Sequence, residues 1–176
     1  MITLIYGGSG SGKSAFAEDL VCKTNYKNRY YLATMQAFDD ESKKRIKRHR
    51  NLRSGKGFVT LEYPIDIVNT ISEIDGDSSE SIVLLECMSN LVANEMFKDG
   101  QIRSADKCVA KIIEEVKTIN KKVASFVIVT NNIFEDGNSY DPQTKEYMRA
   151  LGEVNIKLAQ MAKDTYEVVV GIGIKK

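Results

Sequence analysis

The residues best suited to chemistry stand at the start of the chain, where a glycine-rich run follows a short apolar segment. Residues 2–6 are apolar and β-branched, and the next eight match G-x-x-x-x-G-K-[ST] in full: Gly7, Gly8, Ser9, Gly10, Ser11, Gly12, Lys13 and Ser14. Glycines let a backbone approach a phosphate closely, and the loop N–H groups and the next helix N-terminus point at the anion. The pattern predicts a phosphate-binding loop between a strand and a helix.

Two side chains in this run have distinct expected roles. Lys13 would bring its charge to the outer phosphates of a nucleotide, and we predict it to be catalytic. The Ser14 hydroxyl is placed to ligate Mg²⁺. A flexible glycine-serine turn without a ligand is the alternative, but the flanking strand and the helix over residues 15–21 favour the binding loop.

An acid at the end of a second apolar run is a candidate metal ligand. Residues 82–86 read Ile-Val-Leu-Leu-Glu, which is typical of a buried parallel strand. Ligands of open α/β sheets bind at the carboxyl ends of the strands, where we also expect Thr34, Met35 and Gln36, and Asn131 with Asn132. Glu86 would hold Mg²⁺ directly or through water. A surface acid at a strand end is the alternative interpretation.

The chain has a single histidine, His49, inside a basic run over residues 43–50. A neutral imidazole is a nucleophile, and neighbouring cations lower its pKa. Arg53 would share its helical face, and guanidinium groups could hold phosphate oxygens during attack on phosphorus. Two other interpretations of the run stay open at this point: a solvated helix face and a nucleic-acid-binding patch.

Composition narrows the class of protein. The 176 residues predict one domain over residues 1–176, and 43% hydrophobic content is ordinary for a globular protein. A net charge of +1 favours no polyanionic partner. Three cysteines without metal-type spacing indicate reduced core thiols in a cytoplasmic protein. We expect no N-terminal signal and no membrane span, because no apolar run approaches about 20 residues.

Strand and helix patterns alternate along the chain, which predicts an α/β fold with a mostly parallel sheet. Strands are expected over residues 2–6, 30–34, 58–62, 82–86, 124–130 and 166–172. Helices are expected after the glycine loop, over 41–53, after Pro64, around Leu91 to Phe97, and over 104–122 and 144–163.

Several motifs, taken together and in order, resemble the CobU family. They are the glycine loop, Ala33-Thr34-x-Gln36, Asp39-Asp40-Glu41, Arg45-Ile46-x-x-His49, Thr60-Leu61-Glu62, Leu84-Leu85-Glu86-Cys87, Val129-Thr130-Asn131, Gly152-Glu153-Val154-Asn155 and Val169-Val170-Gly171-Ile172-Gly173. The resemblance covers nearly the whole chain. It implies a three-layer, RecA-like P-loop NTPase fold and a homo-oligomer, specifically a trimer.

The resemblance also implies a two-step enzyme of cobalamin biosynthesis. GTP or ATP would phosphorylate adenosylcobinamide, and GTP would then pass GMP through His49 to adenosylcobinamide phosphate, giving adenosylcobinamide-GDP. Beyond the glycine loop, the implied nucleotide-contacting residues are Thr34, Met35, Gln36, Arg50, Asn51, Leu52, Arg53, Glu62 and Glu86.

The chain departs from the family pattern at several points. Asn132 stands where the family has an acid, the segment after Arg53 lacks the family's proline and tryptophan, and the loop after Asn132 differs. These changes motivate an alternative function, a P-loop small-molecule kinase without guanylyl transfer. A nucleotide-dependent nucleic-acid-binding module is a third hypothesis, which the balanced charge disfavours.

Overall fold

The structure, a computed structural model, describes residues 1–36, 54–75, 77–100, 102–133 and 140–176. The predicted helix over 41–53, with His49 and residues 50–53, lies outside them. Within the described ranges, seven strands form one sheet. They are Ile2–Gly7 (β1), Asn28–Ala33 (β2), Phe58–Glu62 (β3), Ser81–Leu85 (β4), Ser125–Asn131 (β5), Asp164–Val169 (β6) and Ile172–Lys175 (β7).

The described α-helices are Lys13–Cys22 (α1), Met88–Met96 (α2), Ala105–Lys122 (α3) and Pro142–Met161 (α4). Short 3-10 helices cover Ile67–Glu73, Ser78–Glu80 and Lys98–Gly100. Asp141 explains the start of α4, because its carboxylate accepts hydrogen bonds from the Gln143 and Thr144 amides and Pro142 fits the first turn. No helix in the described ranges is long and apolar enough to cross a membrane.

The sheet order is β3-β2-β4-β5-β1-β6-β7, with every neighbouring pair parallel except β6 and β7. Successive side chains of the central strands enter two different cores. Leu4 belongs to the larger core beneath α2, α3 and α4, whereas Ile5 packs with Ala17 and Val21 of α1 on the opposite face. The predicted three-layer α/β fold with a mostly parallel sheet is confirmed.

The strand order places the glycine loop at a topological switch point, where the connections from neighbouring strands run over opposite faces of the sheet. β1 lies between β5 and β6, so the chain leaves β1 over the α1 face while α4 connects β5 to β6 on the other face. In open α/β sheets, ligands bind in the crevice at such a point. The carboxyl ends of β1, β2, β4 and β5 meet at this edge.

The predicted helix after Pro64 is a 3-10 helix, Ile67–Glu73, rather than an α-helix. Its sequence is rich in β-branched residues, which crowd an α-helical turn. The Thr70 hydroxyl donates to the Ile67 carbonyl at 2.7 Å, a local bond that competes with the α-helical ladder. The helix predicted around Leu91 to Phe97 ends one residue earlier, at Met96, and Phe97 caps it and remains 41% exposed.

The predicted last strand over residues 166–172 was wrong in extent, because it is a hairpin of β6 and β7. Val170 and Gly171 form its two-residue turn, and both have positive φ, 45° and 83°. Positive φ at both central positions matches the twist of the flanking strands. Glycine adopts it freely, but a β-branched valine does so at a cost of about 1–3 kcal/mol.

A buried ionic cluster joins the 3-10 helix to α2 and α3. Glu95 is fully buried and accepts hydrogen bonds from the Asp66 amide at 2.8 Å, from Arg103 at 2.9 Å and from Lys111. Lys111 Nζ also lies 2.6 Å from Asp66 and 3.7 Å from Glu115. The ammonium thus occupies the space between three carboxylates that would otherwise suit a metal ion.

Glu115→Gln should remove a pH-dependent loss of stability. Burial raises the pKa of Glu115 from its usual 4.5 to about 7. Between these pH values the unfolded chain releases this proton and the folded chain keeps it, so the free energy of unfolding falls as pH rises. This group alone accounts for up to about 3 kcal/mol. Urea denaturation from pH 4.5 to 8 should show a less negative slope for the variant, and parallel curves would contradict this assignment.

Candidate active site

The glycine loop has the backbone geometry of an anion-binding loop. Gly10 and Gly12 have φ of 72° and 87°, a conformation that favours glycine. Gly12 immediately precedes α1, which begins at Lys13, so the free N–H groups of the first helical turn face the loop. Loop and helix dipole together form a positively polarised concavity at the sheet edge.

Lys13 is buried beside this loop and points back toward it. Its side chain is about 9% exposed, and Nζ donates to the Gly8 carbonyl at 2.9 Å. Burial lowers the pKa of the Lys13 ammonium, with a smaller opposing effect from Cys87. A bound phosphate would compensate the lost hydration of this cation, so the site is electrostatically prepared for an anion.

The C-terminal hairpin packs directly against the loop. The Gly171 amide donates to the Ser11 carbonyl at 2.7 Å. A Cβ at Gly12 would lie 3.0 Å from Gly171 Cα, which is closer than most Cβ contacts, so the absence of a side chain at Gly12 allows this approach. The strained Val170–Gly171 turn thereby fixes the middle of the glycine loop.

The start of the loop is equally tightly held. A Cβ on Gly7 would come within 2.6 Å of the Val168 carbonyl oxygen and 2.7 Å of Ser11 Oγ. On the other side, the Asn132 amide donates to the Gly7 carbonyl at 3.1 Å. Any non-proline residue at position 132 can make that backbone bond, so the departure from the family pattern there preserves it.

Glu86 lies at the carboxyl end of β4, and only one of its two carboxylate oxygens is hydrogen-bonded within the described residues. Oε2 accepts a hydrogen bond from the Tyr31 hydroxyl at 2.7 Å, which orients the carboxylate. Oε1 is buried and has no hydrogen-bond partner among the described residues. An orphaned carboxylate oxygen next to a phosphate loop suits a hydrated divalent cation.

A polar network links the neighbouring strand ends, and sequence reasoning missed its centre, Ser89. Asn131 Nδ2 donates to Ser89 Oγ at 2.5 Å, and Cys87 Sγ lies 3.0 Å from the same hydroxyl. The Thr34 hydroxyl donates to the Cys87 carbonyl at 2.8 Å. Cys87 is half-buried here, whereas only Cys108 of the three free cysteines lies in the core. A serine at a helix start carries no motif that would have revealed this role.

The predicted site residues fall into three groups. The loop residues, Thr34 and Glu86 converge on one edge of the sheet, with Met35 and Gln36 half-buried just beyond β2. Glu62 ends the edge strand β3 opposite Ala33 and is exposed. His49, Arg50, Asn51, Leu52 and Arg53 lie outside the described residues.

Fold and loop define a nucleotide-binding P-loop protein of the RecA-like class. Similar solved structures include the RadB recombinase, with a TM-score of 0.51 and 15% identity over 94% of this chain and 73% of that one. A type III secretion ATPase aligns with a TM-score of 0.55 and 10% identity, over 99% of this chain and 56% of the other. At these identities the likeness concerns the fold alone.

Sequence comparison specifies the family. The pattern of the CobU family, described as cobinamide kinase / cobinamide phosphate guanyltransferase, matches residues 3–176, and the chain belongs to this family. It is 31% identical to the bifunctional adenosylcobalamin biosynthesis protein CobU of Escherichia coli K12, and 29% identical to that of Salmonella typhimurium LT2. Each alignment covers 99% of both chains.

Gly7→Ala should destabilise the protein much more than Gly8→Ala. The added methyl group at position 7 meets a backbone oxygen that cannot move aside, whereas a Cβ on Gly8 has nothing within 4 Å. Such overpacking costs about 1–3 kcal/mol. Chemical denaturation of both variants is the measurement, and equal losses of unfolding free energy would show that the loop is not held by β6.

Proposed function

We propose that the chain is the bifunctional enzyme of its family, an adenosylcobinamide kinase and adenosylcobinamide-phosphate guanylyltransferase. The observation that carries the proposal is the family match over residues 3–176 together with an intact phosphate loop. The names of the curated relatives, bifunctional adenosylcobalamin biosynthesis proteins, support the same activity pair.

In the first step, the hydroxyl of the aminopropanol arm of adenosylcobinamide attacks the γ-phosphorus of GTP or ATP, and the nucleoside diphosphate leaves. Charge accumulates on the phosphoryl oxygens during this transfer. The loop N–H groups and Lys13 lie where they would stabilise that charge, and their fixed backbone needs little reorganisation.

In the second step, the neutral imidazole of His49 attacks the α-phosphorus of GTP, and pyrophosphate leaves. A phosphate oxygen of adenosylcobinamide phosphate then attacks the same phosphorus and releases the imidazole, giving adenosylcobinamide-GDP. Arg50 and Arg53 would hold the phosphate oxygens. The assignment of His49 and of residues 50–53 rests on the family resemblance.

Mg²⁺ belongs to the proposal as the partner of the nucleotide. Ser14 at the start of α1 and the unpaired Oε1 of Glu86 would hold it, directly or through water. The ion would neutralise charge on the triphosphate and help to orient it. Tyr31 would keep the Glu86 carboxylate in a single orientation for this purpose.

The proposal also covers assembly and location. The substrates are adenosylcobinamide, its phosphate, and GTP or ATP, with no nucleic acid. By family resemblance the enzyme would be a homotrimer, and we place it in the cytoplasm, where thiols such as Cys87 stay reduced.

Variants of His49 and Lys13 should separate the two half-reactions. Each protein is incubated with adenosylcobinamide, GTP and Mg²⁺, and the corrinoid products are analysed by mass spectrometry. The wild type should form adenosylcobinamide-GDP. His49→Ala should stop at adenosylcobinamide phosphate, because the nucleophile is missing. Lys13→Ala should slow phosphorylation about 100-fold or more, through lost stabilisation of the transferred phosphoryl group.

Controls make the outcomes decisive. Adenosylcobinamide phosphate supplied directly tests guanylyl transfer without the kinase step. Formation of adenosylcobinamide-GDP by His49→Ala would exclude His49 as the carrier. A wild type that makes only the phosphate would instead identify a kinase that lacks guanylyl transfer.

A further inference from the structure

Asn131 occupies the central position among the strand ends that form the candidate site. It is the last residue of β5, which lies between β4, followed by Glu86, and β1, which leads into the glycine loop. Asn131 is paired in register with Gly7, the first residue of that loop. Neighbouring strands lie about 4.8 Å apart, so β4 and β1 are separated by about 10 Å with β5 between them. A phosphate bound by the loop and by a cation on Glu86 would therefore lie over the end of β5.

The side-chain nitrogen of Asn131 is already engaged within the protein. Nδ2 donates to Ser89 Oγ at 2.5 Å, and Cys87 Sγ lies 3.8 Å from the same nitrogen. Ser89 Oγ and Cys87 Sγ are themselves 3.0 Å apart, so the N–H groups of the carboxamide face two acceptors that are in contact with each other. These contacts orient the carboxamide, with its nitrogen toward the start of α2 and its carbonyl oxygen, Oδ1, on the opposite side.

Hydrogen bonds from two other parts of the chain hold this network in place. The Tyr147 hydroxyl of α4 donates to the Ser89 carbonyl at 3.3 Å, and the hydroxyl of Thr34, which follows β2, donates to the Cys87 carbonyl at 2.8 Å. Burial raises the pKa of the Tyr147 phenol to about 12, so this donor keeps its proton at neutral pH. The orientation of the Asn131 side chain is therefore set before any substrate binds.

The carbonyl oxygen of the Asn131 side chain is the group available to a ligand. Within the described residues, the hydrogen bonds of this side chain are made by Nδ2. A carbonyl oxygen accepts hydrogen bonds and donates none, so Oδ1 would repel the oxygens of a phosphate. A hydroxyl group, in contrast, can donate its proton to Oδ1. The oxygen therefore suits the alcohol that attacks the phosphorus, while Lys13 and the loop N–H groups suit the phosphate.

We propose that Asn131 Oδ1 accepts a hydrogen bond from the attacking hydroxyl of the kinase acceptor, and that Ser89 holds the carboxamide in the required orientation. Asn131 is then a catalytic residue, because it touches the reacting oxygen, and Ser89 is a positioning residue. The proposal rests on phosphoryl transfer at the loop, as in the proposed function, and it assigns the residue that aligns the neutral alcohol substrate.

The reaction step needs no further reactant. The hydroxyl oxygen attacks the γ-phosphorus while the bond from that phosphorus to the bridging oxygen breaks, and the electron pair leaves with the nucleoside diphosphate. The hydrogen bond to Oδ1 turns the O–H bond away from phosphorus, so that a lone pair of the oxygen faces it. An amide oxygen is too weak a base to take the proton. The proton passes to an oxygen of the transferred phosphoryl group, and the product is a singly protonated phosphate monoester.

Variants of Asn131 test the assignment by steady-state kinetics of adenosylcobinamide phosphorylation, with GDP affinity measured by calorimetric titration in the presence of Mg²⁺. Asn131→Leu removes the acceptor at nearly constant size, and it should lower kcat about 100-fold while the Kd for GDP changes less than about twofold. Asn131→Asp keeps an acceptor oxygen, so its kcat at saturating nucleotide should exceed that of Asn131→Leu. A lower kcat in Asn131→Asp than in Asn131→Leu would indicate a contact with phosphate and would overturn the assignment.

Ser89→Ala tests the positioning role. The variant removes the main acceptor of Asn131 Nδ2 and lets the carboxamide turn, so kcat should fall about tenfold with the KM for GTP unchanged. Transfer of GMP to His49, where the nucleophile is an imidazole, should slow far less than phosphorylation. Equal slowing of the two half-reactions would show a merely structural role. Asn69→Ala removes an exposed carboxamide of the 3-10 helix, outside the site, and serves as the matched control.

The acceptor distinguishes this inference from the proposed function. A wild type that hydrolyses GTP to GDP but leaves adenosylcobinamide unmodified would contradict the enzyme activity. Slower hydrolysis in Asn131→Leu would then still support the assignment, because water presents the same hydroxyl group, and unchanged hydrolysis would overturn it. Corrinoid phosphorylation at the wild-type rate in Asn131→Leu would overturn the assignment and support the proposed activity.

Discussion

The contact between the C-terminal hairpin and the glycine loop is the constraint on which the candidate site depends. The Gly171 amide donates to the Ser11 carbonyl, Gly12 lies against the hairpin turn, and Gly7 approaches β6 more closely than a side chain would permit. A phosphate loop works only if its N–H groups converge on one point. Here the last strands of the chain fix the conformation of a loop formed by its first residues.

That arrangement explains why strain is retained at the hairpin turn. Val170 adopts a positive φ that glycine would adopt without cost, and it is 84% exposed. The turn must bring Gly171 within hydrogen-bond distance of the loop, and the surrounding strands hold Val170 in this conformation. The polar groups at the neighbouring strand ends, including Thr34, Glu86 and Asn131, lie at the same edge of the sheet as the loop and the buried Lys13.

Most of the strands and helices, and the phosphate loop, could be predicted from the sequence, because each is specified by a local pattern of residues. The glycine loop, the apolar run before Glu86 and the helical spacing over residues 104–122 each specify one element, and together they predicted the parallel sheet correctly. The hairpin was missed because Val-Gly is an unusual pair for a two-residue turn. The link between Tyr31 and Glu86 joins residues 55 positions apart, and it depends on strand order, which local patterns do not encode.

Guanylyl transfer through His49 is tested most directly by the mass of the intact protein after incubation with GTP and Mg²⁺ alone. We expect one covalently bound GMP per chain, located on His49 by peptide mapping, labile in acid and stable in base. Absence of the adduct in a protein that still converts adenosylcobinamide phosphate to adenosylcobinamide-GDP, or an adduct on another residue, would contradict it.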